Sequence, residues 1–242
     1  MQRRQRRRDR REEAKEAVSV AAYDLPVRRP QRSAQPIIPL NEAQERYLKA
    51  INSHDVTFGI GPAGTGKTFI AAGIACDLLV GKKVERIIIT RPALEAGEKL
   101  GFMPGELEEK FDPYFAPVRM IMEKRLGASY VEYAIKAGKI IAQPLAFMRG
   151  HTFEDAFVLL DEAQNTTPAQ MKLFMTRLGE PVKCVIDGDL RQSDLPHGMP
   201  SGLEDAIYRF TGSPGFARVD FTRDDIVRSG LCRIIVEGYD EI

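Results

Sequence analysis

The chain has 242 residues, 43% hydrophobic and 29% charged, with 35 Lys and Arg against 34 Asp and Glu for a formal net charge of +1. This balance excludes a chain that is disordered throughout and supplies enough apolar side chains for a buried sheet, while the length is short for two full α/β domains. No apolar run approaches the ~20 residues that span a bilayer and the N-terminus has no apolar signal stretch, so a cytoplasmic protein without membrane contact is expected.

Residues 1–35 hold eleven Lys or Arg against five Asp or Glu, net +6, which leaves the remainder at net −5. Seven arginines fall between Met1 and Arg11, and Pro26, Pro30 and Pro36 come after them, so residues 1–38 read as a disordered basic arm. Such an arm either attaches to phosphate backbones through counterion release or serves as a solubilising tail. Cys76, Cys184 and Cys232 are odd in number, far apart and set in apolar runs, which favours buried reduced thiols over disulfides. His54, His151 and His197 lack any ligand spacing, and no structural metal is expected.

Residues 39–242 read as a single domain. A helix is predicted over Asn41 to Ile51, a strand over Val56 to Ile60, then a glycine-rich loop and a helix from Lys67 to Val80 closed by Gly81. The β-branched run from Arg86 to Thr90 reads as a strand buried on both faces, which implies parallel βαβ topology. Residues 93–138 are charged and largely helical in pattern, too long for a simple connection, and read as an insertion. Further strands are expected at Lys139 to Leu145, Phe157 to Asp161, Val182 to Asp187 and Arg218 to Phe221. Thr167, Pro168 and Gly179 mark the cap, first position and end of a helix whose Met171, Phe174, Met175 and Leu178 form a core stripe. Ser201 and Glu204 have capping-box spacing. The resulting fold class is α/β, a mostly parallel sheet with helices on both faces.

Gly61, Pro62, Ala63, Gly64, Thr65, Gly66, Lys67 and Thr68 fit G-x-x-x-x-G-K-[ST] at every fixed position, between a strand and a helix. The glycines let backbone N–H groups turn inward around phosphate oxygens at the positive end of a helix. Lys67 would bridge the β- and γ-phosphates of ATP, and Thr68 would ligand Mg²⁺. At Phe157 to Glu162, four apolar strand residues deliver two carboxylates to a strand end. Asp161 is assigned to Mg²⁺ and Glu162 to polarising the attacking water as general base. A second carboxylate suits hydrolysis better than transfer to a substrate hydroxyl, so an ATPase is favoured over a kinase. At Val185 to Gln192, Gln192 is placed to sense the γ-phosphate, whereas Asp187 and Asp189 either contribute or merely shape a turn at Gly188.

Assembled, these segments resemble the PhoH family of ATPases, themselves similar to one RecA-like core of superfamily 1 helicases. The likeness runs from about Leu40 to Asp240. It rests on GPAGTGKT, on TRP at Thr90 to Pro92, on LLDEAQN at Leu159 to Asn165, on GDLRQSDLP at Gly188 to Pro196, and on DIVRSGLCRIIVEGYD at Asp225 to Asp240. The resemblance implies that Gln44, in LNEAQ, reads the adenine edge, that Gln192 is the coupling residue of the GDxxQ motif, and that Arg223 or Arg228, with Arg228 preferred, stabilises transferred charge from a neighbouring subunit. It implies a ring, expected as a hexamer, because the 50 residues after Gln192 cannot make a second RecA-like domain. RNA or single-stranded DNA is the implied partner. A nucleotide-dependent switch acting on a protein partner and an RNA-binding module without motor action remain as alternatives.

Overall fold

The structure, a computed structural model, describes residues 36–92, 107–148, 150 and 152–227. The arm through residue 35, Cys232 and Arg228 lie outside the described residues. The core is a six-stranded sheet in which every neighbouring pair is parallel. The strands are β1 (Val56–Ile60), β2 (Arg86–Thr90), β3 (Ile140–Ala142), β4 (Ala156–Leu160), β5 (Val182–Gly188) and β6 (Phe216–Asp220), in the order β3-β2-β4-β5-β1-β6. β1, β4 and most of β2 are buried along their length, as continuous apolar runs demand of a sheet covered on both faces.

Strand alternation sorts the apolar side chains into two cores. Ile87, Ile89, Phe157, Leu159 and Val185 face one side, where they meet α1 (Glu42–Ser53), α2 (Lys67–Val80), α3 (Leu107–Leu126) and α4 (Ala128–Lys136). Phe58, Ile60, Ile88, Val158, Leu160 and Ile186 face the other, against α5 (Pro168–Met175), α6 (Gly202–Phe210) and a 3₁₀ turn at Leu145–Met148. α1 buries Ala43, Tyr47, Ala50 and Ile51, a one-sided stripe at helical spacing, after Asn41 caps it by accepting from Gln44 N. α2 is buried almost all round, from Ile70 through Cys76, because it lies between the sheet and α1 and α3. Ile37 packs against α2, with its Cδ1 2.8 Å from where a Cβ on Gly73 would stand.

Over its described part, the stretch 93–138 holds α3 and α4, which make the crossover from β2 to β3. Phe115, Val118, Met122, Tyr130 and Val131 sink into the same core as α2. Several element boundaries differ from expectation. β3 is an edge strand and pairs only where Ile87 to Ile89 accompany it. Pro144, which has no N–H to donate, precedes the coil into Leu145–Met148. β6 runs from Phe216 to Asp220 in register with Val56–Ile60, two residues earlier than its apolar pattern suggests. α5 stops at Met175, where the Thr176 hydroxyl turns back onto the Lys172 and Leu173 carbonyls and frees Leu178 to bridge Phe153. Thr167 forms a complete capping box with Gln170, and Ser201 accepts the Glu204 N–H at the start of α6. Cys76 and Cys184 are buried free thiols, and burial raises the Cys76 thiol to about 12. No helix among the described residues is long and apolar enough to cross a membrane.

Candidate nucleotide site

The glycine loop leaves β1 at its C-terminal end and enters α2. Gly61, Gly64 and Gly66 have φ of 145°, 86° and 86°, values that side-chain-bearing residues rarely adopt. A Cβ on Gly61 would collide with the Phe221 backbone, and one on Gly66 would stand 2.7 Å from the Gln44 amide nitrogen. Neighbouring strands and helices pin the loop. Gly61 N donates to Gly188 O at 3.0 Å, and Val227 N donates to Gly64 O at 3.1 Å. The Thr65 hydroxyl, in a fully buried residue, donates to Pro62 O at 3.0 Å, while Ala63 is exposed at the loop tip.

Gln44 projects from α1 to this loop. Its Nε2 donates to Thr65 O at 2.9 Å and its Oε1 accepts from Leu40 N at 2.8 Å, so in this arrangement the carboxamide braces the loop. Lys67 Nζ lies inside the loop, donating to Gly61 O at 2.6 Å and Pro62 O at 2.9 Å, with the Phe221 ring centroid 5.9 Å away. Burial lowers the Lys67 ammonium from its usual value, against the opposing pull of Asp187, Asp189, Asp161 and Glu162.

Across the sheet edge, β4 ends at Leu160 and releases Asp161 and Glu162. The Asp161 N–H donates to Thr90 O at 3.0 Å, which fixes the acid beside the end of β2. The Thr68 hydroxyl stands 3.5 Å from Asp161 Oδ1, so two residues 93 positions apart meet at one point. Glu162 has φ of 56°, an uncommon conformation for a residue with a side chain and one associated with functional strain. Its carboxylate is held at Oε2 by Gln164 Nε2 at 2.7 Å and at Oε1 by Arg91 Nη2 at 3.4 Å, yet the side chain keeps 48% exposure. That combination fixes the group while leaving water access.

The third strand end separates the two aspartates that the sequence left together. Asp189 shapes the turn, accepting from Arg191 N at 3.0 Å. Asp187 instead lies inside β5, fully buried, where it accepts a hydrogen bond from the Tyr47 hydroxyl. Gly59 makes room for this pair, since a Cβ there would strike the Asp187 carboxylate and sit 2.8 Å from Tyr47. Burial pushes the Asp187 carboxyl up to about 7, opposed by Lys67 and by Tyr47. Gln192 stands on the exposed turn after β5, with its N–H on Asp189 O at 3.1 Å. Arg223 is in a 3₁₀ turn, Arg223–Asp225, whose Asp225 carbonyl accepts from Asn41 Nδ2 at 3.1 Å.

Three contributors carry no sequence assignment. Arg91 lies just beyond β2 and reaches both carboxylates. Gln164 links the ends of β4 and β5, donating to Glu162 and accepting from Asp189 N at 3.1 Å. Tyr47 anchors Asp187 from α1. Arg91 could have been found by the rule that residues immediately beyond the C-terminal ends of parallel strands line the ligand crevice. Tyr47 carries no such signal, because its position on α1 is indistinguishable from an ordinary core residue.

Among the described residues no group of three His, Cys, Asp or Glu could hold a metal alone. Thr68 Oγ1 and Asp161 Oδ1 supply hard oxygen donors beside the glycine loop, a set that suits Mg²⁺ arriving with phosphate oxygens. A separate cavity of about 1240 Å³ lies at the opposite end of the sheet, where Val56, Val182 and Phe216 begin their strands, and contains none of these groups. Phosphate binding by a loop needs convergent N–H groups and not an enclosed volume, so the strand C-termini are the candidate site.

A parallel α/β sheet bearing this loop after β1 and an acid pair after β4 defines a nucleotide-binding protein with the P-loop NTPase fold. The chain belongs to the PhoH family, whose profile, described as PhoH-like protein, matches residues 36–240. It is 51% identical over 213 residues to Protein PhoH of Escherichia coli strain K12, covering 87% of this chain and 60% of that one. It is 49% identical over 198 residues to a PhoH-like protein of Bacillus subtilis strain 168, covering 82% and 62%. The chain thus spans about three fifths of the length of these curated relatives. The crystal structure of Pif1 helicase from Candida albicans aligns over 77% of this chain and 40% of that one, at 15% identity and a TM-score of 0.41.

Proposed function

We propose that the protein binds ATP with Mg²⁺ and hydrolyses it, and that hydrolysis is coupled to binding or remodelling of RNA or single-stranded DNA in the cytoplasm. The observation that carries the first part is the meeting of Thr68 Oγ1 and Asp161 Oδ1 at 3.5 Å, directly beside the glycine loop and the strained Glu162. Thr68 and Asp161 would hold the metal, which when bound supplies neutralisation of charge on the β- and γ-phosphate oxygens. The loop residues after Pro62, Ala63 to Gly66, are the proposed source of N–H groups for the phosphates, and Lys67 adds a cation from within the loop. Glu162 accepts a proton from water as its oxygen bonds to the γ-phosphorus and the bond to the β–γ bridging oxygen breaks. Gln44 touches the loop and is the proposed reader of adenine. Gln192, on its exposed turn, is the proposed link to a partner.

Assembly into a hexameric ring, with Arg228 reaching a neighbour's nucleotide, completes the reading and rests on family resemblance. The test is steady-state ATP hydrolysis with Mg²⁺, with and without single-stranded RNA or DNA, with Glu162→Gln as control. Stimulation by polymer that disappears in Glu162→Gln and weakens with salt supports a nucleic-acid-coupled ATPase. Hydrolysis sensitive to Glu162→Gln but indifferent to polymer keeps the ATPase and transfers the coupling to a protein partner. A variant Glu162→Gln that hydrolyses within about twofold of the parent removes the general-base assignment.

A further inference from the structure

Arg91 is the second residue of the TRP motif and takes no part in the chemistry proposed for the acid pair and the loop. It lies directly beyond β2, and its backbone carbonyl accepts from Leu145 N at 3.0 Å, so the residue is fixed between β2 and the turn after β3. One guanidinium serves three partners. Nε and Nη2 donate to Asp161 Oδ2 at 3.1 and 2.8 Å, Nη2 also approaches Glu162 Oε1 at 3.4 Å, and Nη1 donates to Tyr114 O at 3.3 Å. Side-chain exposure is 19% for Arg91 and 8% for Asp161, so the contact is shielded from water on most sides.

The division of Asp161 between its two oxygens gives the arrangement its meaning. Arg91 takes Oδ2, which leaves Oδ1 for the Thr68 hydroxyl and the Glu162 N–H at 3.2 Å. The guanidinium therefore sets the rotation of the carboxylate that faces Thr68, and the same group steadies Glu162. The third contact ties this geometry to α3. There Nη1 reaches the Tyr114 carbonyl, a backbone acceptor on the helix itself, so a shift of α3 moves one end of the guanidinium. A planar fork with five N–H donors can serve all three acceptors together, whereas a lysine ammonium is a point charge.

The geometry points to Arg91 as a positioning residue that aligns Asp161 and Glu162 and makes their alignment depend on the placement of α3. This rests on the assignment of Asp161 to the metal and of Glu162 to the water. Arg91 also places a positive charge beside the oxygens that would meet a dication, so its removal strengthens Mg²⁺ binding while it slows turnover. Loss of structure would weaken both, so the opposite signs separate positioning from a merely structural role.

The experiment uses the full chain, Arg91→Ala and Arg91→Lys. It measures affinity for a fluorescent ATP analogue across a Mg²⁺ titration, together with steady-state kcat and KM. Arg91→Ala should lower kcat by about 10- to 100-fold with KM within about threefold, and should lower the Mg²⁺ concentration for half-maximal nucleotide affinity by about fivefold. Arg91→Lys should return the Mg²⁺ dependence toward the parent, because the charge remains, and leave kcat near that of Arg91→Ala, because the bridge is gone. Parental kcat in Arg91→Lys, or higher Mg²⁺ demand in Arg91→Ala, overturns the inference. A parent that binds nucleotide but hydrolyses none defeats the ATPase reading instead. Arg91 is then judged on the Mg²⁺ titration alone, where an unchanged midpoint in Arg91→Ala overturns the positioning role and a lowered one supports it.

Discussion

Replacing Asp187 with Asn removes a buried carboxylate that the fold holds away from both solvent and a salt bridge. Its Oδ1 takes the Tyr47 hydroxyl, and its Oδ2 has no hydrogen-bond partner. Burial raises the carboxyl from 3.8 to about 7, a change of roughly three units, and each unit is worth ~1.4 kcal/mol of linkage. Between these two values the folded protein keeps a proton that the unfolded chain has released, so the native state loses stability as pH rises through the window and levels off above about 7. Summed over the window the loss reaches up to about 4 kcal/mol, an upper bound because water penetration and relaxation soften burial. Asn cannot ionise and keeps an acceptor for Tyr47. Urea unfolding of parent and Asp187→Asn at pH 5 and pH 8, with equal m-values, crosses about two units of that window and should show the difference between them moving in favour of Asp187→Asn by about 1 to 3 kcal/mol at the higher pH. Parallel pH dependence in the two proteins would refute a buried acid with a raised pKa.

Two further outcomes are expected from named contacts. Lys67→Ala should weaken ATP affinity by about tenfold or more in equilibrium titration, and the same substitution, by removing the cation that lowers Asp187, should extend the pH window of the parent's stability loss upward. Unchanged affinity would count against the loop as a phosphate cradle. Phe157→Ala opens a cavity at a side chain with 0% exposure in β4 and should cost about 3 to 5 kcal/mol, seen as a lower urea midpoint at constant m, whereas a loss below about 1 kcal/mol would show that the core collapses around the gap.

The architecture is legible in the sequence because its signals are local. Continuous apolar runs mark β1, β2, β4 and β5, and the loop's glycines mark the turn from β1 into α2. Asp161, Glu162, Lys67 and Thr68 can be placed from the same runs, since the end of a buried strand fixes where the next few residues emerge. Boundaries at the sheet edges are less legible, as with β3 and β6, because pairing with a neighbour and not residue preference decides how far an edge strand extends. The role of α3 and α4 in the main core is hidden by the charge of residues 93–138, although Phe115, Val118 and Met122 already lie at helical spacing. Asp187 and Asp189 cannot be separated by composition, since strand phase sends one inward and leaves the other in a turn. Arg91 is legible in place but not in role: its position just beyond β2 puts it at the ligand crevice, whereas its pairing with Asp161 and Glu162 depends on β4 lying beside β2.

The strand order has a consequence for synthesis. β1 is made early, but both of its neighbours, β5 and β6, come from the last third of the chain, the first of them about 120 residues later. While the nascent chain lengthens, the glycine loop is present without Gly188 and Phe221, the residues that hold it in place. A fragment ending before Val182 would contain Lys67, Thr68, Asp161 and Glu162 and still lack a formed phosphate cradle. A nucleotide held by the loop would therefore stabilise the finished sheet and not its early intermediates.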